Sequence, residues 1–186
     1  MDDIVRQAMA KWPNVPDCYG WLGLDARGNW YMRDDRVQAA GPFPASKGSL
    51  LKHEKLIDFI HRNYEADALG RWYFQNGPQR VYVTLEASPL VWGVRRATQV
   101  TPGTPVQAAY AWQAHTGLEA QTLRSAWLDE HGRLFIDTDA GFGLVRSLDM
   151  DVAADALEAS GLTLSECRFD ELPQRFGYQL HPQAQG

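Results

Sequence analysis

Short apolar ribbons punctuated by glycine turns constrain this chain more than any other feature. In QRVYVTLE (79–86), Val81, Val83 and Leu85 alternate with Tyr82, Thr84 and Glu86, the period of a strand with two unlike faces. Asn76-Gly77 stands just upstream, the strongest short-range hairpin signal, and Pro78 fits the turn because it has no N–H to give a ladder. A second hairpin reads at 18–33 (CYGWLGL-DARG-NWYMR), with Asp25 at the first turn position and Gly28 at the last. A third reads at 123–137, where LDEHGRLFI (128–136) lines up without gaps on LDARGNWYM (24–32). Two accounts fit that match: an internal duplication, or chance likeness between common Asp-x-x-Gly hairpins.

Helices are sparser. Asp2 or Asp3 caps a short one at 2–11, with Ile4, Val5, Ala8, Met9 and Trp12 on one face. The spacing of Leu50, Leu51, Ile57, Ile60 and Tyr64 predicts a long helix over 49–64, capped by Ser49 or Ser46. A third spans 149–160, capped by Asp149 or Asp151 and ended by Gly161. Residues 39–49 read as a loop, 71–100 as a hairpin and a further strand, 106–113 and LTLSECRF (162–169) as strands, and 181–186 as a loose tail. The Pro/Gly-rich TPGTP (101–105) divides the chain into an N-terminal lobe, 1–100, and a C-terminal lobe, 101–186. The expected fold class is α+β: antiparallel β-hairpins and sheets in two β-rich lobes, with one long helix packed on a sheet. There is no β-α-β alternation, so a parallel dinucleotide-binding sheet is not expected.

A formal net charge of −5 argues against a nucleic-acid binder, and Arg95-Arg96 is the only adjacent pair of Lys or Arg. No apolar run is long enough to span a membrane, the start does not read as a secretory signal, and Cys18 and Cys167 form no metal or redox spacing, so a cytoplasmic setting is expected. His53 and His61 lie eight residues apart, not the four of a helical metal pair, and no phosphate loop or nucleophile elbow occurs. Neither a metal nor another cofactor is expected.

The densest chemistry lies at 71–96, where Trp, Tyr, Arg and amide side chains crowd together. Flat aromatic surface beside planar hydrogen-bonding groups is the material of recognition sites. Trp72, Tyr73, Gln75, Arg80, Tyr82, Trp92 and Arg95 are the candidate ligand-binding residues. The plainer alternative makes one strand face core and the other an ordinary Arg-studded surface.

WPNVPDCYGWLGLDARGNWYMRDD (12–35), KGSLLKHEKLIDFIHRNY (47–64) and GRWYFQNGPQRVYVTLE (70–86), with SPLVW following, resemble an uncharacterised proteobacterial family known only as a domain of unknown function. The order of elements resembles, more distantly, a second uncharacterised bacterial family with two β-rich lobes. These resemblances imply a bacterial, cytoplasmic protein and bring no activity, cofactor or catalytic residue.

Three functional readings follow. The first is a noncatalytic binding or regulatory module whose partner is a protein or a small anionic ligand. The second is an enzyme assembling acid–base groups such as His53, Glu54, His61, Asp137 and Asp139 only in the fold. The third is a structural protein that self-associates into a homodimer.

Overall fold

The computed structural model describes residues 1–97 and 109–184. Its residues cluster into two compact units, one comprising Met1–Pro89 and the segment from Gly177 onward, the other Leu90–Phe176. The expected joint at TPGTP lies outside the described residues, and the units part at Pro89 and Leu90.

The first unit holds helices α1 (Asp3–Lys11), α2 (Asp35–Ala40) and α3 (Glu54–Arg62) and strands β1 (Cys18–Leu24), β2 (Trp30–Met32), β3 (Ser49–Leu50), β4 (Tyr64–Ala66), β5 (Trp72–Asn76) and β6 (Gln79–Leu85). The strands make one sheet in the order β3-β2-β1-β6-β5-β4. The β1–β2 and β5–β6 hairpins are antiparallel as their turns dictate, while β1 and β6 pair in parallel at its centre.

The 49–64 helix is shorter than its apolar period suggests. Ser49 and Leu50 pair instead with Met32 and Tyr31, and Leu51 N–H donates to the Trp30 carbonyl, so ladder bonds take the segment from the helix. The helix starts after His53, whose Nδ1 accepts the Leu56 N–H at 3.3 Å. Its Phe59 meets Phe74 edge-on, which covers one sheet face. The sequence reading leaves α2 and β4 unassigned; Asp34 caps α2 by accepting the Val37 N–H at 2.9 Å.

The second unit holds β7 (Leu90–Arg96), β8 (Tyr110–Ala114), β9 (Glu119–Ala120), β10 (Leu123–Asp129), β11 (Leu134–Thr138), β12 (Gly141–Val145), α4 (Met150–Ser160), β13 (Leu164–Cys167) and α5 (Leu172–Phe176). Its sheet runs β13-β10-β11-β12-β7-β8-β9, with parallel pairs at β10–β13 and β12–β7. Gly143 sits inside β12, where a Cβ would collide with the Leu90 carbonyl, so glycine permits the close β12–β7 approach. The core is aromatic: Phe142 stacks on Phe176 at 3.7 Å and lies parallel to buried Phe135. Both units are thus α+β, built from hairpins that parallel pairings complete.

One turn recurs three times. Asp25, Asp67 and Asp129 each accept through Oδ1 the N–H groups two and four residues on, at 2.8–3.0 Å. Each also bonds through Oδ2 to the side chain four residues on, Asn29, Arg71 or Arg133. The glycine at the fourth position takes positive φ in all three turns.

Candidate functional site

The sheet of the first unit has two different faces. Tyr64, Trp72, Phe74 and Val81 belong to the face covered by α3, and Trp72 packs on Tyr64 with ring centroids 4.7 Å apart. On the other face Glu65, Tyr73 and Tyr82 are neighbours across three strands, with Gln75 and Arg80 paired beside them. Tyr73, Gln75, Arg80 and Tyr82 are therefore brought together, as alternation requires. Trp72 points to the opposite face, and Trp92 and Arg95 belong to β7 of the second unit, Trp92 within its core and Arg95 exposed.

The shared face is internally satisfied. The Arg71 guanidinium lies 4.7 Å from the Tyr82 ring centroid and pairs with Asp67 at 2.7 Å. The Tyr82 hydroxyl donates to Asp67 at 3.1 Å and accepts from Arg71 at 3.1 Å. The Tyr73 hydroxyl donates to Glu65 at 2.7 Å, and Arg80 covers the Tyr73 ring. Burial pushes the Tyr73 phenol far up, and Glu65 pushes it further. Burial would raise the Asp67 carboxyl too, but its bonds from Arg71, Leu69 and Tyr82 outweigh that and hold it below the usual carboxylate range. Tyr82, 1% exposed, has no free surface to offer a ligand.

What that face builds is a wall. Tyr19 stacks on Tyr82 at 4.6 Å with planes 7° apart, and Tyr19 borders a cavity of about 450 Å³. Thr84, two residues beyond Tyr82 on the same strand face, borders it too, with Arg33, Gln38, Phe43 and His181. Each wall has a local cause. Gly23 lacks a side chain where Phe43 packs onto β1, and Arg33 follows β2 at the start of the turn into α2. The segment just before the expected tail is anchored: Leu180 accepts the Leu85 N–H at 2.8 Å, Gln179 N–H donates to the Gly70 carbonyl, and the Tyr178 hydroxyl donates to the Ala87 carbonyl. Those bonds carry His181 to the cavity rim.

Arg33 is the unusual member. It is 4% exposed, and burial pulls its pKa down. Nε donates to the Ser46 carbonyl at 3.0 Å, Nη1 to Gly20 at 3.3 Å and Nη2 to Gly41 at 2.8 Å. All three acceptors are neutral, and no carboxylate lies within 4 Å of this guanidinium among the described residues. Burial and the Arg33 charge both lower the pKa of His181. Sequence reasoning missed Tyr19, Arg33, Gln38, Phe43, Thr84 and His181 as one site. The only signal available was a charged residue placed directly after an apolar strand.

The acid–base set of the enzyme reading is not assembled within either unit. His53 caps α3, His61 Nε2 accepts the Trp30 indole N–H at 2.9 Å, and Asp137 and Asp139 belong to the second unit. Asp139 is occupied by the Gln121 and Thr122 N–H groups. Among the described residues no group of three or more His, Cys, Asp or Glu is placed to hold a metal ion.

Family DUF2944, described as "Protein of unknown function (DUF2946)", matches residues 1–183. The chain belongs to that family. This DUF2944 chain is similar in fold to a solved DUF1285 family protein from Silicibacter pomeroyi DSS-3, with a TM-score of 0.52, 14% identity, and 83% of this chain and 84% of that chain covered. It is likewise similar to a DUF1285 family protein from Shewanella baltica OS155, with a TM-score of 0.50, 14% identity, and 77% and 97% covered. No curated protein matches. The DUF2944 chain therefore shares an architecture with families of unknown function and inherits no activity from them. Among its described residues no helix is long and apolar enough to cross a membrane.

Proposed function

We propose that this DUF2944 chain is a noncatalytic binding or regulatory module, and that its first unit carries a small-molecule site. The observation that carries the reading is the 450 Å³ cavity, which lies within the size range of small-ligand sites and mixes aromatic walls with a few convergent polar groups. The aromatic–Arg face picked out in the sequence supports that site from behind, through the Tyr19–Tyr82 stack, instead of receiving a ligand itself. Free Cys18 and Cys167 favour a reducing, cytoplasmic setting in a bacterial cell.

A fragment library screened by protein-observed NMR tests the reading. Binders are expected to perturb the amides of Tyr19, Arg33, Phe43 and Thr84. A library that leaves all four unmoved would remove it.

A further inference from the structure

We infer that the cavity takes a small organic anion, a carboxylate or phosphate monoester, held by Arg33; this rests on the ligand-binding reading above. A guanidinium stays charged at every physiological pH, and buried charges are ordinarily matched by an opposite one. Arg33 is buried and borders the cavity, yet its bonds go to the carbonyls of Ser46, Gly20 and Gly41. Those carbonyls orient the guanidinium without neutralising it.

The donor count agrees. Of the five guanidinium N–H groups, those three bonds leave one on each terminal nitrogen without an acceptor among the described residues. An N–H on each terminal nitrogen can donate to the oxygens of a carboxylate or phosphate. The neighbouring charges contrast with it. Arg71 has Asp67, and Lys47 has Glu86 and Asp25, so two other cations of this unit have counter-charges supplied by the fold.

Two further groups face the same space. Thr84 borders the cavity, and its hydroxyl has no hydrogen-bond partner among the described residues. His181 stands at the rim and offers an imidazole N–H as a further hydrogen-bond donor. The rings of Tyr19 and Phe43 give the organic body of the anion flat apolar surface. The fold thus fixes a charge-recognising head position and leaves room for a short carbon skeleton.

The test uses the full chain, isothermal titration and thermal shift, with inorganic phosphate, phenyl phosphate, succinate and benzoate as probes and benzamide as the neutral control. At least one anion is expected to bind saturably and raise the midpoint, whereas benzamide does not. The two phosphate probes against the two carboxylates decide which head group is preferred. Arg33→Met is expected to weaken anion binding about 10- to 100-fold, the worth of a charge-assisted bond, and Thr84→Val several-fold. Gln38→Glu keeps Arg33 and sets a carboxylate on the same cavity, so it is expected to abolish anion binding while leaving the chain folded. Anion binding unchanged in both Arg33→Met and Gln38→Glu would overturn the assignment. If neutral fragments occupied the cavity and none of the anions did, the anion inference would fall while the ligand-binding reading stood. If neither class bound there, both would fall.

Discussion

The two units share a scaffold and differ in what they bury. Each runs strand, Asp-x-x-Gly turn, strand, third strand and helix, and then returns a later strand parallel to the first: β1-β2-β3-α3 with β6, and β10-β11-β12-α4 with β13. The Asp25 and Asp129 turns superpose their hydrogen bonds as well as their sequences. The second unit fills its interior with stacked aromatics, and a cavity there, about 360 Å³ between residues such as Tyr110, Gln121, Ala156 and Ser160, has no charged lining among the described residues. The first unit buries Arg33 with no carboxylate paired to it among the described residues. Equal scaffolds with unequal interiors teach that the turns and helices serve folding, and that the unmatched charge is the feature folding does not require.

The largest expected effect tests the shared scaffold. Asp129→Ala strips two amides and Arg133 of their acceptor inside a side-chain site that solvent does not reach, and is expected to lower stability by about 2–4 kcal/mol in urea melts. Asp25→Ala is expected to fall in the same range, because the same two amides are orphaned. The Asn variants, which keep an acceptor oxygen, are expected to lose less than half as much. A turn in one unit that tolerates alanine would show that the likeness is only in sequence.

Next come the two most deeply buried tryptophans. Trp30 Nε1 donates to His61, whereas Trp92 Nε1 has no partner among the described residues. Trp30→Phe is expected to cost about 2–3 kcal/mol, since it opens a void and removes the indole N–H bond to His61. Trp92→Phe makes a similar void but removes an orphan donor, and is expected to cost about 1 kcal/mol less. Equal losses would mean the Trp30–His61 bond contributes nothing.

A smaller effect follows from pH. Burial depresses the folded pKa of His61 below its unfolded value near 6.5, so the unfolded chain binds more protons. That stability is complete above about pH 6.5 and is lost as pH falls through the depressed folded value. His181 acts in the same direction. The thermal midpoint is expected to drop between pH 7 and pH 5, and less steeply in Trp30→Phe, where the indole bond to His61 is removed and its burial reduced. A parallel pH profile in the two proteins would contradict this.

Smallest is the exposed pair of Arg96 and Asp155 in the second unit. Solvent screens it, so Arg96→Gln is expected to leave the urea midpoint unchanged. A clear shift would show that surface charges matter in the second unit.

Hairpins were legible because their turn residues and alternation are local. Asp25-x-x-Gly28, Asn76-Gly77 and Asp129-x-x-Gly132 announce antiparallel partners adjacent in sequence. The β1–β6 and β10–β13 pairings join segments dozens of residues apart, and no local pattern encodes them. The third turn, Asp67-x-x-Gly70, carries the same signal but lacks flanking apolar runs long enough to reveal it. Tyr73 and Tyr82 were legible as neighbours, because alternation across one hairpin fixes their face. Arg33 and His181 were not, since the turn from β2 into α2 and a late segment that bonds to β6 bring them to one cavity.

The most direct measurement is a ¹⁵N-labelled titration of the full chain with phenyl phosphate and with benzoate, followed amide by amide. Saturable shifts confined to residues 19–20, 33, 38–43, 84 and 181–183 are the predicted result for at least one of them. Shifts centred on the second unit, or none that saturate, would contradict the claim that the uncompensated Arg33 charge marks a ligand site.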